Sequence, residues 1–352
     1  MNIVVLKFGG TSVADIPQIK NIALKIKLEV EKGNKVIVVV SAMSGVTNNL
    51  IDLVKNTSDI PPYSEYDTVI STGEQITSAL LAIALEKISI KARSWLGWQI
   101  PIVTDKTYGK SVIEKIKTDN ISKDLEVNQV AIVSGFQGVS SENRITTLGR
   151  GGSDTTAVAM AASFLAVRCD IYTDVDGVYT TDPRIVKSAK KLDIITYEEM
   201  LELASQGAKV LQARSVALAM KYGVNLRVLS SFEDLPGTSI VKEEKNMEKS
   251  EISGIAHSLN EAKITLHGVP DQPGQAADIF GTLAQHSINV DMIVQSSSIN
   301  HEVTDITFTI PETDLIIAEK AIKQLQKKIC FNKFTSDTTV SYTHLTLPTK
   351  PK

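Results

Sequence analysis

The residues able to do chemistry in the first 250 positions are glycines, hydroxyls, lysines and carboxylates. Histidine is missing there: all five (His257, His267, His286, His301, His344) fall in the last third of the 352-residue chain. That disfavours Ser-His-Asp hydrolysis, Cys-His chemistry and His-ligated zinc over the stretch that holds every candidate motif. The remaining set suits an anionic, phosphate-bearing ligand handled by positioning and electrostatics. In Lys7-Phe-Gly-Gly-Thr-Ser12, a lone cation and two glycines follow four apolar residues. Gly9 and Gly10 let the backbone turn sharply and present bare N–H groups to an anion, with Lys7 as a point charge. The densest cluster is Thr146-Thr-Leu-Gly-Arg-Gly-Gly-Ser-Asp-Thr-Thr156, just before an Ala-rich helix expected over Thr155 to Leu165. A helix N-terminus supplies unpaired N–H groups there, and the Arg150 fork suits carboxylate or phosphate.

Further candidates are single side chains. Glu74, in Ser71-Thr-Gly-Glu74, reads either as a site carboxylate or as a solvated one. Asp174 and Asp182 suit nucleotide or magnesium-water contacts, because Mg²⁺ is held by few carboxylates plus substrate phosphates. Asp176-Gly177 reads as a tight hairpin, with Asp176 as turn chemistry. Lys209, expected at the start of a helix over Ala208 to Tyr222, stands at the wrong end for the dipole, so it either faces an anion or is solvated. Thr104-Asp-Lys-Thr-Tyr-Gly-Lys-Ser111 imitates a phosphate-binding P-loop, but Thr104 replaces the first glycine and the flanking strand and helix are out of register. No G-x-G-x-x-G occurs.

The elements that must position these residues follow a parallel-sheet pattern. Ile3 to Leu6 reads as a buried strand, Ile16 to Lys32 as a helix with Asp15 as N-cap and Gly33 at its end, and Lys35 to Val40 as an apolar strand. Strand, glycine turn, helix, strand is a βαβ unit, and in such sheets ligands sit outside the carboxyl ends of the strands. Ser41-Ala-Met-Ser-Gly-Val-Thr-Asn48 continues from that edge. Tyr66 to Lys87 is expected as a helix, Val130 to Val133 as a strand ending in Ser134-Gly-Phe-Gln-Gly138, Tyr197 to Ala204 as a helix and Asn225 to Leu229 as a strand. The charge-rich run Val241 to Glu251 marks a domain boundary. Beyond it the order is βαββα: Ala262 to His267, Pro273 to His286, Ile288 to Gln295, Val303 to Ile310 and Asp314 to Lys328.

Composition excludes other classes. With 43% hydrophobic and 22% charged residues the chain is globular, and a net charge of −3 offers no basic field for nucleic acid. No run of 18 apolar residues marks a membrane span, and the first residues lack the pattern of a signal peptide, which gives a cytoplasmic reading. Cys169 and Cys330 are too few for a disulfide framework.

The motifs Lys7-Phe-Gly-Gly-Thr-Ser12, Ser41-Ala-Met-Ser-Gly45, Ser71-Thr-Gly-Glu74, Gly135-Phe-Gln-Gly138, Leu148-Gly-Arg-Gly-Gly-Ser-Asp-Thr155 and Tyr172-Thr-Asp-Val-Asp-Gly-Val-Tyr-Thr-Thr-Asp-Pro-Arg184 occur in one order. Jointly they resemble the aspartate kinases of the amino-acid kinase family, closest to the monofunctional lysine-pathway type. The resemblance covers about residues 1 to 336. It implies an α/β catalytic domain over residues 1–243, an open, mainly parallel sheet sandwiched by helices, and a C-terminal α+β ferredoxin-like ACT domain over 252–336. The implied reaction moves the ATP γ-phosphoryl group to the β-carboxylate of L-aspartate, with Mg²⁺ carried by the nucleotide and no protein metal site. That is the first step toward lysine or diaminopimelate, threonine and methionine. By the same resemblance Lys7, Gly9, Gly10 and Asp154 serve catalysis, and Ser41, Thr47, Glu74, Arg150 and Ser153 bind aspartate. Thr173, Asp174, Tyr179, Asp182, Arg184 and Lys209 join Lys7, Gly9 and Gly10 in the nucleotide pocket. Asp271, Gln275, Ala276, Asn289, Asp291 and Gln295 match positions for an effector, lysine or threonine, and the ACT domains imply a homo-oligomer; a purely structural domain is the alternative. The family pattern has a second ACT domain, with its first strand near Ile252 to Ala256 and the rest after residue 337. Residues 341–352 depart from it and are expected to be a non-native tail. Kinases of glutamate, acetylglutamate or uridylate fit less well, given the Ser41 loop and the ACT segment. Intact Lys7, Glu74, Arg150 and Asp182 count against a non-catalytic amino-acid sensor.

Overall fold

The computed structural model describes residues 2–208, 210–242, 252–286, 288–297, 303–326 and 329–347. It divides into two compact units, 1–256 with 345–352, and 257–344. In the first unit the chain runs β1 (Ile3–Phe8), α1 (Ile16–Glu31), β2 (Lys35–Val40), α2 (Val46–Thr57), α3 (Tyr63–Ile70), α4 (Thr72–Lys87), β3 (Ala92–Trp95) and β4 (Ile102–Thr104). It continues through β5 (Ile113–Ile116), α5 (Asp119–Val127), β6 (Val130–Ser134), β7 (Gln137–Ser140), β8 (Ile145–Thr147), α6 (Gly152–Ser163) and β9 (Arg168–Thr173). The last elements are β10 (Ile194–Thr196), α7 (Tyr197–Ser205), α8 (Ala213–Tyr222), β11 (Leu226–Ser230) and β12 (Thr238–Val241).

Among the described residues the main sheet has eight strands in the order β10-β12-β11-β9-β1-β2-β6-β3, and only the β11/β12 pair is antiparallel. Every residue of β2 from Val36 to Val40 is buried, because helices cover both faces. Alternation sends Val4, Leu6 and Phe8 to the side of α1 and α4, and Val5 to the side of α5, α6 and α8. Asp15 caps α1 as expected, accepting a hydrogen bond from the Gln18 N–H at 2.8 Å, and Gly33 follows its end at φ +81°. The helix expected over Tyr66 to Lys87 is instead two, α3 and α4, which meet at Ser71. Their combined stretch is long and apolar enough to cross a membrane by length and composition, and 44% of its most apolar window is buried inside the fold. The helix expected from Ala208 begins only at Ala213. A second sheet, in the order β5-β4-β7-β8, has no counterpart in the sequence reading. Its strands are three or four residues long, too short for periodicity to register.

The second unit has a sheet in the order β14 (Ile293–Ser297), β15 (Val303–Pro311), β13 (Gly254–Pro270), β16 (Lys333–Thr346), in which β15 runs antiparallel to both β14 and β13, with α9 (Gln275–Gln285) and α10 (Leu315–Leu325) packed on it. Ile264, Leu266, Phe308, Ile310, Ile279 and Ile322 form its core. The short strand expected near Ile252 to Ala256 is instead the beginning of one long strand, β13. A bulge between Leu266 and Val269 interrupts β13, with Gly268 at φ +69°.

A buried ionic network ties α1 to the sheet. Asp170, with no exposed surface, accepts from Arg168 Nε at 2.9 Å and from Arg227 at 2.7 Å, and Arg168 reaches Glu29 of α1 at 2.6 Å. Removing Asp170 takes from Arg227 its buried partner and leaves Arg168 with Glu29 alone. Asp170→Ala is therefore expected to lower unfolding stability by about 3 kcal/mol, read from the shift in urea midpoint.

Candidate functional site

Parallel pairing places the carboxyl ends of β1, β2, β6 and β9 on one edge of the sheet, and each runs into a loop that contains glycine. Lys7, the penultimate residue of β1, points to the α6 side. It is 9% exposed, and its Nζ lies 2.6 Å from Asp154 Oδ1. The following glycines keep this ammonium accessible: a Cβ at Gly9 would stand 3.3 Å from Lys7 Nζ, and one at Gly10 would stand 3.1 Å from the Ala42 carbonyl oxygen. Ser12 Oγ meets Ser231 Oγ at 2.5 Å, joining the opening loop to the end of β11.

Asp154 reaches Lys7 because α6 starts close to the sheet. Gly149 and Gly151 adopt left-handed conformations, φ +75° and +70°, and a Cβ at Gly151 would sit 1.9 Å from Gln212 Cγ. At Gly135, after β6, a Cβ would come within 2.8 Å of Ser153 Oγ and 2.9 Å of the Val40 carbonyl oxygen, so only glycine lets the first turn of α6 approach two strand ends. That turn holds Ser153 and Asp154, both buried, where helix N–H groups have no intrahelical acceptor. Phe136 has φ +68°, a strained backbone for a bulky side chain, and its ring borders the same space.

Glu74 enters from α4. Gly73 packs so tightly on the Ser41 loop that a Cβ there would lie 2.7 Å from Ala42 Cβ. The Ala42 N–H donates to Glu74 Oε1 at 3.1 Å, while Oε2 is buried with no hydrogen-bond partner among the described residues. Burial pushes the Glu74 carboxyl up to about 7, with the Ala42 N–H opposing the shift.

These groups surround a cavity of about 500 Å³. Lys7, Gly9, Gly10, Ser41, Thr47 and Glu74 line it, as do Arg150, Ser153, Asp154, Thr173 and Asp174. Tyr179, Asp182 and Arg184 are not among its lining residues. Arg184 forks onto Asp182, with Nη2 to Oδ2 at 2.7 Å, and the Tyr179 hydroxyl donates to Asp176 at 2.9 Å. The hairpin expected at Asp176-Gly177 does not form. Those residues make a bend, and Tyr179 pairs as an isolated bridge with Lys191. Lys209 lies outside the described residues. Asn48, Phe136, Val210 and Gln212 line the cavity although sequence reasoning gave them no role. Of these, Asn48 and Phe136 carried a signal, their places in the Ser41–Asn48 loop and in Gly135-Phe-Gln-Gly138. In the second unit, Asp271, Gln275 and Ala276 stand at the turn into α9, Asn289 and Asp291 precede β14, and Gln295 lies on it.

A lysine, a helix N-terminus and glycine turns gathered on the carboxyl edge of a parallel sheet define a site of the phosphoryl-transfer class. An amino acid kinase family model matches residues 2–230, and an ACT domain model matches residues 264–330. The aspartate kinase of Pseudomonas putida is 50% identical over 342 residues, which cover 97% of this chain and 83% of that protein. Among solved structures, the aspartate kinase from Synechocystis is 39% identical with a TM-score of 0.62. That match covers 97% of this chain, which spans 59% of the Synechocystis chain. E. coli aspartokinase III in complex with aspartate and ADP is 26% identical, with a TM-score of 0.83 over 97% of this chain and 87% of its own. The same protein in complex with lysine and aspartate is 27% identical, with a TM-score of 0.73 over 97% and 86%. The chain belongs to the amino acid kinase family and, within it, to the aspartate kinases.

The raised Glu74 pKa couples its protonation to folding. A carboxyl whose folded value lies above its ordinary 4.5 contributes stability that is fully present below 4.5 and lost as pH rises through about 7. Glu74→Gln cannot ionise. Urea titrations should find it more stable than the wild type by on the order of 3 kcal/mol at about pH 8, with the difference shrinking toward about pH 5.

Proposed function

We propose that this chain transfers the γ-phosphoryl group of ATP to the β-carboxylate of L-aspartate, forming 4-phospho-L-aspartate. The observation that carries the reading is the unpaired Glu74 Oε2 in the same cavity as the Lys7–Asp154 pair and Arg150. An amino acid needs an acceptor for its ammonium group and a cation for its carboxylate, and Glu74 and Arg150 supply them, with Ser41, Thr47 and Ser153 as hydroxyl partners. Lys7, with Gly9 and Gly10, holds the phosphoryl group in transfer, and Asp154 keeps Lys7 aimed. Thr173 and Asp174 stand on the nucleotide side. Tyr179, Asp182, Arg184 and Lys209 complete that side in this assignment.

The chemistry explains the residue types. A substrate carboxylate with a pKa of about 4 is already ionised at neutral pH, so it attacks without a general base. The barrier is repulsion between an anionic nucleophile and an anionic phosphate, which Lys7 and backbone donors offset. The carboxylates of the site, Glu74, Asp154 and Asp174, are contributed singly from different elements, a donor set that fits Mg²⁺ brought in on the phosphates rather than held in a protein cage. Asp154 and Asp174 would hold the ion, which when bound would supply neutralisation of phosphate charge.

The assignment extends to a cytoplasmic enzyme at the head of lysine or diaminopimelate, threonine and methionine synthesis. Its ACT domain would bind lysine or threonine through Asp271, Gln275, Ala276, Asn289, Asp291 and Gln295, and would join copies of the chain. The lysine complex of E. coli aspartokinase III supports this extension.

Purified protein incubated with Mg-ATP and hydroxylamine should yield the hydroxamate of aspartate and not that of glutamate. Absence of aspartyl hydroxamate from folded full-length protein would refute the proposal. Lys7→Ala should lower kcat by about a thousand-fold with an unchanged circular dichroism spectrum. Near-normal turnover would remove the opening loop from the reaction.

A further inference from the structure

The P-loop imitation Thr104–Ser111 does not line the cavity, yet the glycine loop leans on it. A Cβ at Gly149 would lie 2.9 Å from the Gly109 carbonyl oxygen and 3.7 Å from Lys110 Cα. The Ser111 N–H donates to the Thr147 carbonyl at 2.9 Å. Two charged side chains from distant elements bridge the same pair of segments. Asp67, on α3 and wholly buried, accepts at Oδ2 from the Gly109 N–H at 3.0 Å and the Thr147 N–H at 2.7 Å, and at Oδ1 from the Thr147 hydroxyl at 2.8 Å. Arg214, on α8 and half-buried, donates from one terminal nitrogen to the Leu148 carbonyl at 2.9 Å and from the other to the Ser111 carbonyl at 2.8 Å. Neither residue lines the cavity.

Donors and acceptors are matched by charge: the carboxylate takes N–H groups and the guanidinium takes carbonyls. With the Leu148 N–H donating to the Phe136 carbonyl at 2.9 Å, all four backbone polar groups of Thr147 and Leu148 are engaged. Immediately afterwards come Gly149 and Gly151, which have no side chain to hold their course. The path of the loop into the cavity is therefore set by what grips the two residues before Gly149.

We infer that Asp67 and Arg214 are positioning residues for the substrate-carboxylate subsite, clamping Thr147–Leu148 to Gly109–Ser111 and so fixing where Arg150 and Ser153 stand. The inference rests on the assignment of Arg150 and Ser153 to aspartate. An arginine fork holds two carbonyls at once in a rigid plane, whereas a lysine ammonium on a flexible stem does not reproduce that geometry. At position 67 an amide keeps one acceptor oxygen and turns an NH₂ group toward donors.

The test compares full-length wild type, Arg214→Lys and Asp67→Asn by kcat, by KM for L-aspartate and for ATP, by thermal midpoint, and by hydrogen exchange of the backbone from Leu148 to Ser153. Arg214→Lys should raise KM for aspartate about ten-fold, hold KM for ATP within about two-fold and speed exchange in the loop. Asp67→Asn should do the same; if it fails to fold, Arg214→Lys alone decides. Unchanged KM for aspartate overturns the inference. Equal rises in both KM values with a lowered thermal midpoint also overturn it, because they report general loosening. If the wild type makes no aspartyl hydroxamate, the functional reading falls by itself. Hydrogen exchange then decides the clamp: faster exchange in Arg214→Lys upholds it, and unchanged exchange overturns it.

Discussion

An ammonium group held nine-tenths out of water on a central strand needs a counter-charge within contact distance, and Asp154 stands 2.6 Å from Lys7. Either charge buried alone would cost several kcal/mol, so the pair dictates its surroundings. The start of α6 must reach the carboxyl end of β1, and it can do so only where Gly135 follows β6 and the loop before α6 can turn through two left-handed glycines. Hydroxyl-rich loops from β1 and β2 then fall on the same edge. The anion site is what remains when this pair has been accommodated.

Those local demands made much of the site legible in the sequence. A lone cation, glycines and hydroxyls at the end of an apolar run suit an anion, and β2 and the Asp15 cap of α1 stand where the pattern put them. The illegible parts depend on distance in sequence. Asp67 lies 80 residues from Thr147, and Arg214 lies 66 from Leu148, so each reads as an ordinary helix polar residue until the fold closes. Arg184 and Asp182, two residues apart, form an ion pair with each other, a local contact that their types alone do not announce. The break at Ser71 was hidden because both α3 and α4 are apolar enough to continue one another.

The second unit illustrates how little sequence marks an interruption. Gly268 alone hints at the bulge in β13, while the group that secures it is on the neighbouring strand: Asp305 accepts from the Gly268 N–H at 2.9 Å and pairs with His267 Nδ1 at 2.8 Å. The resulting sheet nevertheless keeps the expected order of strands and helices, because Ile264, Leu266, Phe308 and Ile310 bury against α9 and α10 wherever the bulge falls.

Glu74 bears on selectivity by omission. One of its oxygens is tied to a backbone N–H and the other is dry and unmatched, an arrangement that favours a ligand bringing its own donor. A dicarboxylic acid of the same size with hydrogen in place of its amino group would seal that oxygen from water and offer nothing in return. A hydrophobic wall discriminates against a missing group only by lost contact, whereas a buried acceptor also penalises the analogue for its own unmet hydrogen bond.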